Sequence, residues 1–579
     1  MGLDEVDTSY AYELVRDMAA TLPPVWAGSP KERKAVDYIT NQLSDAGISV
    51  RELHLRGHVS HPGPGTLSLV GEGVDEPIRC NVLAQSEPTP ELVAEAVYVG
   101  SGGFADYGGM DATGKIVIVD LNYSPPRPEK MRIAKLRGAV GMLMINWGKE
   151  GDESLPFGTT KYVWGNPTRA TASDMITLPA VAVTRPDGNL VRRRLSENPS
   201  LKLRITSTAE RKWRELVIPV AWIGEGEASG REFVLTAGHY DSWGGGATDN
   251  LSGDAALIAM AKYFQANKEN LLRDVVVAWW PAHESGIMIG STWFADSQWR
   301  TLRDRCVAYI NVDQLGMGEL TRWYVESAGE LKSLIRAADA PDDTEWSHPL
   351  KTGDQSFFGV GLPSTNTYSG ATEQQKREAN GMSLGWWYHS ENDTFDKLNP
   401  TTYAEGIRYI VSYIEVIATT PLLPFDVAEA AEEIVGRLDE IDAELRRIGW
   451  DPDSDGYPWS AVREEAGILQ QTAKRFRAEL ERLSDDATEV ANANRAIRRF
   501  SRATIPVRYS ATDSYGQDSY GQSRLAHILP ELEVLIERAA TAEGDETRYF
   551  MDAEIYRALN RLSDALVTAI DALVRPGER

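Results

Sequence analysis

Three apolar runs, each closed by a histidine or a carboxylate, constrain this chain more than any other feature. "REFVLTAGHYDS", "RDVVVAWWPAHES" and "CVAYINVDQ" are rich in Val, Ile, Ala and Trp and show little polar alternation. Such runs suit strands buried on both faces. Between the first two lies "SGDAALIAMAKYFQAN", with Leu257, Met260, Ala261 and Phe264 at helical spacing, and "STWFADSQW" follows the second. Strand and helix therefore alternate, which predicts an α/β protein whose mixed, mostly parallel sheet is covered by helices.

The flanks read differently. Residues 9–22 and 31–47 are patterned as amphipathic helices, and "ISVRELHL" as a strand. From about residue 60 to 212, short β-rich runs such as "GKIVIVDLNY", "GAVGMLMINW" and "LPAVAVT" are broken by Gly, Pro and Asp, with one short basic helix, "RPEKMRIAKLRG". From about residue 425 the pattern is helical and charged, interrupted by "YSATDSYGQDSYGQSR". With 579 residues, 42% hydrophobic and 25% charged, the chain is globular with an ample core. A formal net charge of −25 argues against nucleic acid or an anionic membrane as partner, because phosphates are repelled. The two cysteines, Cys80 and Cys306, match no zinc, redox or disulfide framework. "MGLDEVDTSYAYELVRDMAA" lacks a basic stretch followed by an apolar one, and no run of eighteen apolar residues occurs. The expectation is a cytoplasmic protein with no membrane span.

The chemistry gathers where the apolar runs end. "GHYDSWGGGATDNLSG" places His239 directly after a strand and Asp249 ten residues later, before a helix. His283 and Glu284 close the second run, Asp313 closes the third, and "GWWYHSENDTFD" supplies His389. Ligands in α/β proteins collect at the carboxyl ends of strands. Two histidines and three carboxylates there (His239, Asp249, Glu284, Asp313 and His389) suit a pair of Zn²⁺ ions, each holding one His and one carboxylate, with a carboxylate shared between them.

These motifs resemble the zinc aminopeptidases and glutamate carboxypeptidases with two co-catalytic zincs. The resemblance lies in His239-Tyr-Asp241, Asp249-Asn250-Leu-Ser252-Gly253, Ala282-His283-Glu284, Asn311-Val-Asp313 and Tyr388-His389-Ser390. The order of modules is similar to the glutamate carboxypeptidase and transferrin-receptor branch. That likeness implies a discontinuous catalytic domain over 1–58 and 213–422, an inserted protease-associated (apical) domain over 59–212, a helical dimerisation domain over 423–579, and a homodimer. It implies that Asp249 bridges two zincs, that His239 and Asp313 hold one, and that Glu284 and His389 hold the other. It further implies that Asp241 braces the ring of His239, that Asp393 does likewise for His389, that the Asp249–Asn250 peptide is cis, and that Tyr388 stabilises the oxyanion, the alternative for Tyr388 being a packed aromatic.

One position departs from the pattern. Where the family has Glu-Glu, general base then ligand, this chain has His283-Glu284. Counted from the strand, Glu284 is the ligand and His283 takes the base position; counted back from Gly290-Ser291, Glu284 becomes the base and Ser285 the ligand. Neutral imidazole is a competent base within hydrogen-bond reach of a water. The substrate segment "KTGDQSFFGVGLPSTNTYSG" offers Asn366 and Tyr368 where the carboxypeptidases have arginines, and Asp354 where they bind an α-carboxylate with Asn. Asp354 is expected to attract a cationic group, unless it caps a helix beginning near "QSFFG". Arg508, Tyr515 and Tyr520 are candidates for lining the pocket, the alternative being a flexible polar loop. The expected activity is hydrolysis of an amide or peptide bond, aminopeptidase-like, in a small peptide or amide-containing molecule. Hydrolysis of a non-peptide C–N bond and a metal-binding but inactive protein stand as alternatives.

Overall fold

The computed structural model describes residues 2–71, 74–338, 344–484 and 486–574. The three apolar runs form the strands Phe233–His239, Asp274–Trp280 and Cys306–Asn311, with every residue of each buried. They pair in parallel, Phe233–His239 lying between the other two, and Ser364–Gly370 joins in parallel beside Cys306–Asn311. Arg322–Ser327 adds antiparallel to Ser364–Gly370. The sheet is thus mixed and mostly parallel in its centre.

The amphipathic helix expected at 31–47 runs from Pro30 to Ser44. Ser29 caps it by accepting from the backbone N–H of Lys31 and Glu32, proline occupies the first turn, and Ala35, Val36, Ile39 and Leu43 are buried. The helix Ser252–Ala266 is apolar almost all round and sits under the sheet. Together with Pro400–Thr419 these helices belong to one hydrophobic cluster. It continues without a break into Ile434, Leu469, Ile497 and Leu559 of the C-terminal helices.

Two long antiparallel strands, Val50–Gly71 and Lys202–Ile223, connect the catalytic sheet to the inserted module. Ile223 to Val220 pair with Asp274–Trp280 at one end, and Ser207 to Lys202 pair with Thr89–Tyr98 at the other. Among the described residues the strands therefore join into one fourteen-stranded sheet. His58 and Trp213, where the sequence suggests the module begins and ends, face each other inside this ribbon. The module's own strands, Ile116–Asp120, Gly141–Ile145 and Ala180–Val183, pair in parallel. Helices Arg127–Leu136 and Arg185–Glu197 accompany them.

Long helices, Val427–Ile448, Trp459–Leu480, Ala487–Tyr509 and Thr547–Leu573, make the C-terminal region. It is locked to the catalytic domain by a buried ionic cluster. Arg508 reaches Glu330 Oε1 at 2.5 Å and Glu433 Oε2 at 3.0 Å, and both Arg508 and Glu330 are fully buried. The sequence points Arg508 toward the pocket; the structure corrects this, because two carboxylates hold its guanidinium inside the domain interface. Arg508→Ala leaves Glu330 buried without its cation, and we expect it to destabilise the fold by about 3–5 kcal/mol. Thermal unfolding checks this; a rise in KM at unchanged melting temperature would return Arg508 to the pocket. Among the described residues no helix is long and apolar enough to cross a membrane.

Candidate metal centre and substrate cavity

Two glycines of the 238–253 stretch, Gly244 and Gly245, let two loops come together. A Cβ on Gly244 would stand 2.2 Å from the carbonyl oxygen of Ser390, and one on Gly245 2.3 Å from that of Asp393. Only bare backbone lets the loop carrying Asp249 lie against the loop carrying His389. Asn250 fixes the other side. Its Nδ2 donates to the carbonyls of His239 (3.2 Å) and Val312 (3.0 Å), and its Oδ1 accepts from the N–H of Gly253 and Gln314. Asp249 is thereby held between two strand ends, and the Asp249–Asn250 peptide is cis.

Each oxygen of Asp249 faces its own histidine. Oδ1 lies 3.2 Å from His239 Nε2, which is also 3.4 Å from Asp313 Oδ1. Oδ2 lies 3.0 Å from His389 Nε2, which is 2.8 Å from Glu284 Oε1. These approaches are short but not aligned as hydrogen bonds: both oxygens of Asp249, Glu284 Oε1, Asp313 Oδ1, His239 Nε2 and His389 Nε2 are buried without a partner. Buried polar atoms are normally satisfied. A convergent set of imidazole nitrogens and carboxylate oxygens left open in this way is the donor chemistry of a zinc site. Ligand atoms of His239, Asp249 and Glu284 lie within 4.8 Å of one another, and so do those of His239, His283 and Asp313. The second grouping admits His283 to the cluster. The first crosses between the two halves of Asp249, and the contact distances, which sort the ligands by oxygen, are the better guide to pairing.

The supports differ in part from expectation. His239 Nδ1 donates to the backbone carbonyl of Asp241 at 2.8 Å, which leaves Nε2 as the free lone pair. The carboxylate of Asp241 is 3.8 Å from that ring. Instead it accepts the backbone N–H of His283 (2.9 Å) and Glu284 (3.1 Å), so it fixes the loop rather than the imidazole. Asp393 does not brace His389 either: its carboxylate accepts from the N–H and hydroxyl of Thr248 and from the N–H of Asp249. Trp243, not singled out in the sequence, donates Nε1–H to Glu284 Oε2 at 2.8 Å, which turns Oε1 toward His389.

His283 lies face to face with His239, ring centroids 3.9 Å apart. Its Nδ1 is 3.0 Å from Asp354 Oδ2, and Asp354 Oδ1 accepts from Ser291 Oγ at 2.7 Å. Asp354 is therefore neither an open receptor for a substrate cation nor a helix cap. It is a buried partner of His283, and no helix begins at "QSFFG". Burial and the neighbouring His239 lower the His283 pKa, but Asp354 and Glu284 outweigh them and hold it at about 8.

Beside the cluster opens a cavity of about 270 Å³. His283, Glu284, Asp313 and His389 border it, together with Asn366, Tyr368, Tyr388 and Tyr520. Tyr388 stacks on His389 at 3.9 Å. Burial, then the surrounding phenol and carboxylates, push its pKa well above the ordinary range, so it is a proton donor. Tyr515 is not at the cavity. Asp513 Oδ1 accepts from the N–H of Tyr515 and Gly516, and the ring lies outward, 77% exposed, against Trp299. The inserted module supplies a wall that the sequence did not suggest, with Tyr123, Arg127 and Thr159 lining the cavity. Phe157 N–H donates to the carbonyl of His389 at 2.7 Å, and Lys161 Nζ to that of Gly286 at 2.5 Å.

A mixed sheet with ligands at its strand ends, an inserted module closing the cavity and a helical C-terminal region define a peptidase-type architecture. Residues 220–414 match peptidase family M28 and residues 88–191 match the PA domain. It is 23% identical over 512 residues to a probable glutamate carboxypeptidase of Arabidopsis thaliana, covering 75% of this chain and 70% of that one. It is also 23% identical over 485 residues to an aminopeptidase of Pseudomonas aeruginosa, covering 73% and 83%. Its fold is similar to that of a zinc aminopeptidase from Bacillus subtilis, with a TM-score of 0.54 at 20% identity over 71% of this chain and 95% of that one.

Proposed function

We propose that the chain is a zinc-dependent hydrolase of peptide or amide bonds, of the aminopeptidase type, with two zinc ions per chain. The observation that carries this is Asp249, whose two oxygens each face one histidine with a further carboxylate beside it. His239 and Asp313 would hold one ion and His389 and Glu284 the other, with Asp249 within reach of both. When bound, such ions would supply Lewis acidity at the scissile carbonyl and at a water nucleophile.

The chain's own side chains do the rest. In its neutral form, which gains as the pH rises through about 8, His283 takes the proton at Nε2 and passes it to the leaving amine, while Asp354 fixes the ring through Nδ1–H. Tyr388 donates its hydroxyl to the oxyanion that develops on the carbonyl. Asn366, Tyr368 and Tyr520 contact the substrate, and the cavity walls exclude water. A second reading, release of a residue with a free carboxylate, is favoured by Arg127, a buried cation in the cavity wall. A homodimer through the C-terminal helices and a cytoplasmic location remain part of the proposal.

Elemental analysis together with a substrate panel tests the reading. We expect about two zincs per chain and hydrolysis of aminoacyl amides or dipeptides, abolished by a chelator and restored by zinc. Zinc-loaded protein that cleaves no peptide or amide overturns the activity. Protein that binds no metal overturns the whole reading.

A further inference from the structure

The cavity contains a carboxyl group that the proposed reaction does not use. Glu326, on the strand Arg322–Ser327, lines it and is only 5% exposed. Its Oε1 is 3.5 Å from the Tyr368 hydroxyl, at the limit of a hydrogen bond, and its Oε2 has no partner. Neither Lys376 nor Arg127, which also line the cavity, pairs with it. Lys376 donates to Glu373 at 2.8 Å, and Arg127 donates to the carbonyl of Phe157 at 3.3 Å. Burial accordingly pushes the Glu326 carboxyl up to about 7, against a backbone donor at Leu350 and the Tyr368 hydroxyl.

A buried carboxylate without a cation is costly, and in a closed core it would be a pure liability. In the wall of a substrate cavity the same carboxylate is an acceptor that a cationic ligand can reach. The surroundings suit one. The rings of Tyr324 and Tyr368 stack at 5.4 Å, 12° from parallel, beside Glu326 on neighbouring strands, and aromatic faces attract ammonium and guanidinium groups. Tyr324 already does so, with Lys376 Nζ 5.1 Å from its ring centre. Asn366, paired with Glu326 across the two strands, adds a neutral amide where a cation would have made the wall attract acidic residues.

Resting on the peptidase reading above, we propose that Glu326 selects substrates whose residue at the scissile bond carries a cationic side chain, an alkylammonium or a guanidinium. The cation sits against the Glu326 carboxylate beside Tyr368, Lys376 already holding the face of Tyr324. The same wall disfavours acidic side chains by like-charge repulsion.

The probes are Lys–Ala, norleucine–Ala, Ala–Lys and Ala–norleucine, since norleucine keeps the lysine stem and omits the charge. With zinc-loaded protein, lysine is expected to exceed norleucine in kcat/KM by at least about tenfold at one of the two positions, the scale of a charge-assisted hydrogen bond. Glu326→Gln is expected to bring that ratio to about one. A wild type that favours norleucine at both positions, or a Gln variant that keeps the ratio, overturns the proposal. If no dipeptide is cleaved, the peptidase reading fails by itself, and calorimetric binding of the same four probes decides this one. Tighter lysine binding lost in Glu326→Gln upholds it, and equal binding overturns it. Should the variant not fold, the wild-type ratio alone decides: a preference for lysine upholds the proposal and its absence overturns it.

Discussion

Asp249→Ala is expected to lose metal and at least about a thousandfold in kcat/KM, roughly 4 kcal/mol of transition-state stabilisation. No other side chain of the cluster touches both halves. With Asp249 gone, His239 keeps only Asp313, and His389 keeps only Glu284. Two ligands are short of the number that holds zinc in a protein site. The loss also removes what keeps two buried imidazoles together. Elemental analysis and kinetics on the same preparation check the prediction. Full metal content with wild-type turnover would mean that the shared carboxylate lies elsewhere. Trp243 provides a graded comparison, since its indole orients Glu284 without taking Asp249's place.

How much of this is legible in the sequence follows from distance along the chain. Three of the five candidate ligands, His239, Glu284 and Asp313, can be found because each follows an apolar run, and parallel strands bring their carboxyl ends to one edge; Asp249 and His389 lie on loops and are found by their motifs. Gly244 and Gly245 are visible as composition, but their reason, the carbonyls of Ser390 and Asp393, lies about 150 residues away. The sequence puts Asp354 in the right segment and suggests the wrong work for it, because nothing local reveals that its carboxylate meets an imidazole seventy-one positions earlier. Arg508 and Tyr515 mislead for a related reason. The end of a helix and a turn set by Asp513 decide which way those side chains face, and the aromatic-rich text of the loop does not. The PA wall is not legible at all. Arg127 reads as one cation of a short basic helix, and only the fold carries it into the cavity.

His283→Ala is expected to retain both zincs and to lower kcat by about 10²–10⁴, the range of a positioned general base. The prediction turns on what His283 Nε2 does, because Nδ1 is already committed to Asp354 at 3.0 Å. A base role and a ligand role are both compatible with a ring stacked 3.9 Å from His239 and with ligand atoms shared among His239, His283 and Asp313. They separate in the metal analysis: a ligand takes zinc with it when removed, a base does not. Asp354→Asn sharpens the distinction. It keeps the shape but replaces an oxygen that accepts Nδ1–H with an amide that can turn its donor to the ring, so the basic nitrogen is no longer fixed toward the cavity. Roughly ten- to a hundredfold loss of activity is expected, as for other residues that orient an active imidazole. His283→Glu completes the series. A carboxylate at this position restores negative charge beside the candidate metal ligands but also faces the buried Asp354, so peptide turnover should be kept only when Asp354→Asn accompanies it, with zinc intact. Loss of a zinc in that variant would place His283 among the ligands and return the proton work to another group.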